Sequence, residues 1–241
     1  LNYTDEDKFD VVLMNPPYGG NEKSDVKSHF PSDMRSSETA DLFIVLIMYR
    51  LKRNGRAAVI VPDGFLFGAD NTKIAIKTKL LRDFNLHTII RLPGSIFAPY
   101  TSIATNILFF DNTCAEGAPE GYSTKETWFY RLDMPEGYKH FSKTKPMKSE
   151  HCDPIREWWN DRKEIIIADG DEKSRCYSVE DLIATDCNFD LCKFPKEDEE
   201  ILPPAELLAD YFKKRKALDH EIDKTLAEIQ RILGIKINIE E

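Results

Sequence analysis

The sequence predicts an α/β fold, a mostly parallel sheet followed by a helical extension at the carboxyl end. Three observations predict it. Apolar runs of strand length at residues 9–14, 57–61 and 88–92 alternate with amphipathic segments of helix length. The runs are nearly continuous, as in strands buried on both faces of a parallel sheet. A long charged helix is then expected over residues 205–233.

Phe9-Asp10-Val11-Val12-Leu13-Met14 reads as the first strand. Asn15-Pro16-Pro17-Tyr18-Gly19-Gly20 must be irregular, because two prolines cannot continue a ladder and the glycines permit a tight turn. Residues 21–38 are polar and read as a loop. Thr39 or Asp41 is expected to cap a helix reaching about Lys52, with Leu42, Val45, Leu46 and Tyr49 on one face and Asn54-Gly55 ending it. Ala57-Ala58-Val59-Ile60-Val61 is a second strand, stopped by Pro62-Asp63-Gly64. A helix from Asn71 or Thr72 to about Phe84 places Ile74, Ile76, Leu80, Leu81 and Phe84 on its apolar side. Residues 88–92 and 103–110 form two more strands with no helix between them, which suggests an antiparallel addition at an edge. Residues 128–132 are a fifth.

Beyond Lys143 the pattern weakens. A short helix over 153–162 carries Trp158 and Trp159, read as satellite core, and another over 178–184 is capped by Ser178. The acidic run Glu197 to Glu200 and Pro203-Pro204 mark a boundary. In the long helix Tyr211, Leu218, Thr225 and Ile232 recur every seven residues, with Ile222 and Ile229 between them, and Gly234 closes it.

Composition narrows the function classes. The net charge of −9 argues against a chain that grips nucleic acid tightly by itself, although local patches are not excluded. No apolar run approaches the ~20 residues of a membrane span, so no membrane partner is expected. The five cysteines form no CxxC pair and the five histidines show no ligand spacing, so free thiols in a reducing cytoplasm are expected, and no metal site. The chain opens without Met and enters a strand within nine residues, and is therefore expected to be part of a longer protein.

The chemistry lies in Asn15-Pro16-Pro17-Tyr18, directly after a strand, where open parallel sheets bind ligands. An exocyclic amine such as adenine N6 is a poor nucleophile because its lone pair is delocalised into the ring. The Asn15 side-chain oxygen and the Pro16 carbonyl can accept its two N–H protons and stabilise the positive charge that develops as the nitrogen attacks a methyl group. The prolines stiffen the backbone and remove competing donors. Tyr18 offers a ring on which an extruded base can stack, worth ~1–3 kcal/mol. The plain alternative is a strand-ending turn. The tetrapeptide also leaves the acceptor open among DNA adenine, RNA bases and a protein glutamine amide.

The downstream sequence resembles the modification subunits of type I restriction-modification systems, which are DNA adenine-N6 methyltransferases. Four ordered segments carry the resemblance: residues 9–18, residues 51–64 ending in Pro62-Asp63-Gly64, Ile89-Ile90-Arg91-Leu92-Pro93-Gly94-Ser95-Ile96-Phe97, and Thr105-Asn106-Ile107-Leu108-Phe109-Phe110. Residues 143–241 resemble the family more loosely, through Ser142-Lys143-Thr144-Lys145-Pro146 and the long helix. The resemblance implies the carboxyl-terminal half of a Rossmann-like S-adenosylmethionine-dependent methyltransferase sheet. It implies S-adenosylmethionine as donor, an adenine flipped out of duplex DNA as acceptor, and assembly with a DNA-specificity subunit and a restriction subunit. It places the catalytic residues at Asn15, Pro16, Pro17 and Tyr18. The donor-binding loop is expected upstream of residue 1, so this chain alone is expected to bind donor weakly or not at all and to be inactive, with residues 9–14 an unpaired edge. Residues 1–142 then form a partial catalytic domain, 143–204 an irregular and helical connection, and 205–241 a helix that either packs within the chain or docks a subunit. A non-catalytic interaction module is the alternative function class. Phe65 is a candidate wall of the base pocket, and Arg91, Thr101 and Ser102 are placed to touch phosphate but read rather as solvated surface.

Overall fold

The computed structural model describes residue 1 and residues 3–167, 170–192 and 204–234. The chain divides into two units, Leu1–Pro195 and Lys196–Glu241. The elements of the first unit are β1 (Phe9–Met14), α1 (Ser24–Ser28), α2 (Thr39–Arg50), β2 (Leu51–Pro62), α3 (Asp63–Phe67), α4 (Asn71–Asp83), β3 (Asn85–Arg91), β4 (Thr105–Asp111), β5 (Glu126–Arg131), α5 (Asp153–Asn160), β6 (Ile165–Ile167), β7 (Asp171–Ser178) and α6 (Val179–Ala184). The second contains α7 (Pro204–Leu233). The expected acidic boundary, Glu197 to Glu200, lies outside the described residues.

The seven strands form one sheet in the order β1-β2-β4-β3-β5-β7-β6. β1 runs parallel to β2 and β3 parallel to β5, while β4 is antiparallel to both its neighbours and β7 is antiparallel to β5 and β6. Successive residues of a strand face opposite sides, and each side has its own core. Val59, Val61, Ile89, Leu108 and Phe110 pack with residues of α2, α4 and α6, while Ile90, Leu92, Tyr130, Leu132 and Trp158 pack on the other side.

β1 is the outermost strand, as expected for an edge. Val12 and Met14 pack against the core, but Phe9, Val11 and Leu13 are exposed, Leu13 at 79%.

The structure corrects several local expectations. β4 lies inside the sheet between β2 and β3, not at an edge. Its Leu108 and Phe110 face one core and its Ile107 and Phe109 the other, so both faces require cover. Asn54-Gly55 does not end a helix. α2 stops at Arg50 and β2 starts at Leu51, so the pair forms a bulge where the register jumps from Phe9↔Leu51 to Val11↔Arg56. Asn54 sits at φ 62, and a Cβ on Gly55 would meet the Lys52 carbonyl at 2.9 Å.

Neither Thr39 nor Asp41 caps α2. Glu38 is the boundary residue, with no side-chain cap. Asp70, one residue early, caps α4 by accepting from the Lys73 amide. Residues 21–38 hold the short α1 and a 3-10 turn at Ser32–Met34 rather than only loop. The two strands β6 and β7 replace part of the irregular, helical stretch expected after Lys143. β6 is only three isoleucines long, too short to stand out as a strand, and β7 is almost wholly polar and gives no apolar signal. The short helices α5 and α6 are where the sequence places them, and Ser178 caps α6.

Candidate active site

The carboxyl ends of β1, β2, β3 and β5 share one edge of the sheet, and the candidate catalytic residues lie there. Asn15 emerges from β1 exposed, Pro16 is buried, Pro17 is exposed and Tyr18 is half-buried. The Tyr18 hydroxyl donates to the Asn15 side-chain oxygen. An amide oxygen has two lone pairs, so this bond fixes the oxygen as an acceptor and leaves the second lone pair for an incoming N–H. Burial pushes the Tyr18 phenol up to about 12, which keeps it a donor at neutral pH.

The turn after Tyr18 is anchored to the start of α2. The Thr39 amide donates to the Gly20 carbonyl at 3.1 Å, and Asn21 bridges Glu38. Glycine suits position 20, where a Cβ would lie 2.6 Å from the Thr39 hydroxyl. Below this turn Lys73 pairs with Glu38 at 2.6 Å and Asp41 at 3.0 Å, and the Ser36 hydroxyl donates to Asp41 at 2.6 Å. Burial raises the Asp41 carboxyl above its ordinary range.

A second aromatic ring stands beside the first. Phe97, in the loop between β3 and β4, lies 6.2 Å from Tyr18 between ring centroids, inclined at 56°. Phe65 is not a pocket wall. Its ring is 0% exposed and packed in the core, so it offers no face to a ligand. It comes from α3, a turn of helix that points its apolar side inward. Phe97 stood within the segments quoted above, and the signal for it was available: an aromatic residue in the loop leaving the carboxyl end of a parallel strand.

Arg91 is likewise not solvated surface. It is 2% exposed at the end of β3 and pairs with Asp190 and, at 3.6 Å, with Asp63. Its Nε donates to the Asn106 side-chain oxygen at 3.3 Å, and the Asn106 amide nitrogen donates in turn to Asp63. Three segments of the site edge are thereby tied together, with the segment after α6 as a fourth. At the other end of α3 the buried Lys77 ammonium donates to the carbonyls of Leu66 at 3.0 Å and Gly68 at 2.8 Å. Burial pulls its pKa down to about 8. A charged residue ending an apolar strand is the sequence signal for a paired arginine.

The family described as N-6 DNA Methylase matches residues 2–201. The chain belongs to the N-6 DNA methylase family. The likeness read from the four ordered segments extends to individual relatives. The methylase subunit of the type I restriction enzyme EcoEI of Escherichia coli is 42% identical over 231 residues, which are 95% of this chain and 44% of that protein. The crystal structure of a modification subunit from Vibrio vulnificus YJ016 shares 43% identity at a TM-score of 0.64, covering 75% of this chain and 36% of that one. A chain from structural work on complex assembly and conformational transition of the type I R-M system shares 33% identity at a TM-score of 0.64, covering 96% of this chain and 46% of that one. The chain thus spans less than half the length of these relatives. As an N-6 DNA methylase family member it carries the methyltransferase-type sheet expected of it, with the helical segment α7 following in the chain.

None of the residues before Asn15 is glycine. Among the described residues, none is assigned to a methyl donor.

Proposed function

We propose that this chain supplies the adenine-holding side of a DNA adenine-N6 methyltransferase, as part of the modification subunit of a type I restriction-modification complex. The observation that carries the reading is the exposed Asn15 oxygen, held by Tyr18, beside the Tyr18–Phe97 ring pair. An adenine extruded from the duplex stacks against these rings. Its N6 amine donates to the Asn15 oxygen and the Pro16 carbonyl, which favour the more pyramidal and positive nitrogen of the transition state. S-adenosylmethionine, when bound, supplies the electrophilic methyl group. Methylation leaves N6 with one surplus proton, which would pass from its hydrogen bond at the Asn15 oxygen or the Pro16 carbonyl to solvent.

The segment 205–241, which contains most of α7, serves in this reading to dock a specificity subunit, and a restriction subunit completes the complex. Sequence reading by another subunit suits a chain of net charge −9. The likeness to type I methylase subunits favours DNA over an RNA base or a protein glutamine as acceptor.

Asn15→Ala in the intact gene product is the test. It is expected to slow single-turnover methylation of unmethylated duplex by 100-fold or more, about 2.7 kcal/mol, while leaving donor affinity within twofold. Methylation near the wild-type rate would remove Asn15 from the mechanism. Transfer to RNA or protein in place of duplex DNA would overturn the substrate.

A further inference from the structure

An acidic protein that handles duplex DNA has to place cation somewhere near its site. Between Gly137 and Lys148 the chain carries Lys139, Lys143, Lys145 and Lys148, together with His140, and no carboxylate. All four lysines are exposed. The segment is nevertheless fixed in place. Phe141 is buried and its amide donates to the Ser95 hydroxyl at 2.8 Å. Tyr138, Phe141 and His151 form a ring cluster with centroids 5.1–5.6 Å apart. Reciprocal backbone bonds between Ser142 and Lys145, 3.0 and 3.1 Å long, close a tight turn that presents Lys143 and Lys145 outward. The Lys145 ammonium lies 5.7 Å from the Tyr138 ring and Lys148 pairs with Glu150 at 3.3 Å, so these two are partly positioned before any ligand arrives.

The anchor matters as much as the charge. Ser95 belongs to the same loop as Phe97, two residues away, and Phe97 packs on Tyr18. The path from Lys143 through Phe141, Ser95 and Phe97 keeps the lysine within roughly 30 Å of the Tyr18 ring, at ~3.8 Å per Cα step. That is inside about one helical turn of duplex, ~34 Å. The same loop carries Tyr100, which is 92% exposed.

We propose that residues 138–148 are a phosphate-binding strap, which grips the backbone of duplex DNA beside the extruded adenine. The proposal rests on the reading of the site as a DNA adenine site. Its occupant is the sugar-phosphate backbone within one turn of the target base, held by three or four lysine–phosphate contacts that carry no sequence information. The strap supplies register and orientation, and Asn15 and Tyr18 supply chemistry.

The test is a salt titration of binding to a 30-bp duplex by fluorescence anisotropy, using the full chain. The variant Lys139→Gln/Lys143→Gln/Lys145→Gln/Lys148→Gln removes the strap's charge. A control variant, Lys213→Gln/Lys214→Gln/Arg215→Gln/Lys216→Gln, removes the same charge from α7, whose cations there are also exposed. Circular dichroism establishes that both remain folded. The slope of log affinity against log salt is expected to become shallower by about 3 in the strap variant, with affinity on the order of tenfold weaker or more. The control variant is expected to change the slope by less than 1. Equal slopes for strap variant and wild type overturn the strap, as does a loss confined to the α7 control. If the wild type shows no duplex binding at the lowest salt, the strap also fails, while the methyl-transfer reading stands or falls on the Asn15→Ala assay.

Discussion

Arg91 and Arg131 occupy matched positions, since they are paired in register at the carboxyl ends of the parallel strands β3 and β5. Both are buried and each meets two aspartates. The partners differ in origin. Arg91 reaches Asp63 at the start of α3 and Asp190 after α6, both distant in sequence. Arg131 pairs with Asp133, two residues on, and with Asp171 at the start of β7, making two bonds of 2.6 and 2.8 Å to the latter. The same residue in the same register thus does two jobs. Arg91 ties together the edge that carries Asn15 and α3. Arg131 fastens the added β7-β6 pair to the rest of the sheet.

Exchanging each arginine for methionine separates the jobs. Arg91→Met removes the guanidinium from Asp63 and Asp190, and Arg131→Met removes it from Asp171 and Asp133, although Asp133 retains Lys173 at 3.0 Å. Each is expected to cost about 3 kcal/mol of unfolding free energy in a urea titration, the low end for breaking a buried pair, because Asp190 and Asp133 keep some solvent contact. Activity distinguishes them. In protein still folded at low temperature, Arg91→Met is expected to lower the single-turnover methylation rate about tenfold or more, because a small displacement of the site edge is costly. Arg131→Met is expected to leave that rate within twofold. Equal rates for the two variants would show that the division of labour is false.

The sequence made the catalytic half far more legible than the added half, for a physical reason. β1, β2 and β3 announce themselves because both their faces, or one long face, are apolar. β7 opens with Asp171, Glu172, Lys173, Ser174 and Arg175, a polar run whose ion pairs no periodicity reports. The Asn15-Pro16-Pro17-Tyr18 motif stands out in the sequence because its residue types suit the acceptance of amine protons. Phe65 was misplaced for the opposite reason: an aromatic near a strand end is equally suited to core and to pocket, and only the direction of α3 decides. Asp190, the distant partner of Arg91, lies 99 residues away and left no trace in any local pattern.

Lys77 sharpens the same comparison on the catalytic side, because it holds the end of α3 opposite to Asp63. Lys77→Met removes the ammonium donor from the Gly68 carbonyl and from the Leu66 carbonyl, which still accepts from the Phe189 amide at 3.0 Å, at an expected cost of about 1–3 kcal/mol at pH 7. The pH dependence carries a definite sign. The folded pKa of about 8 lies below the ordinary lysine value of 10.5. Between those values the unfolded chain binds more protons than the folded one, so stability rises with pH across that window. Urea titrations at pH 7.5 and 10 are expected to show the wild type gaining on Lys77→Met at the higher pH. A constant difference would mean that the ammonium is not disfavoured in the folded state.

The smallest expected effect tests how the catalytic edge holds its own acceptor. Tyr18→Phe keeps the ring beside Phe97 and removes only the hydroxyl that donates to Asn15. A neutral hydrogen bond is worth about 1 kcal/mol net, so the methylation rate is expected to fall roughly fivefold with duplex affinity unchanged. Tyr18→Ala also loses the stacking face and is expected to weaken duplex binding by a further ~1–3 kcal/mol. Measured side by side in single turnovers, the pair separates orientation from stacking. If Tyr18→Phe runs at the wild-type rate, the hydroxyl does not orient the amide. The Asn15 oxygen would then be set by the rigid turn of Pro16 and Pro17 alone, whose fixed φ angles leave the preceding residue few alternatives.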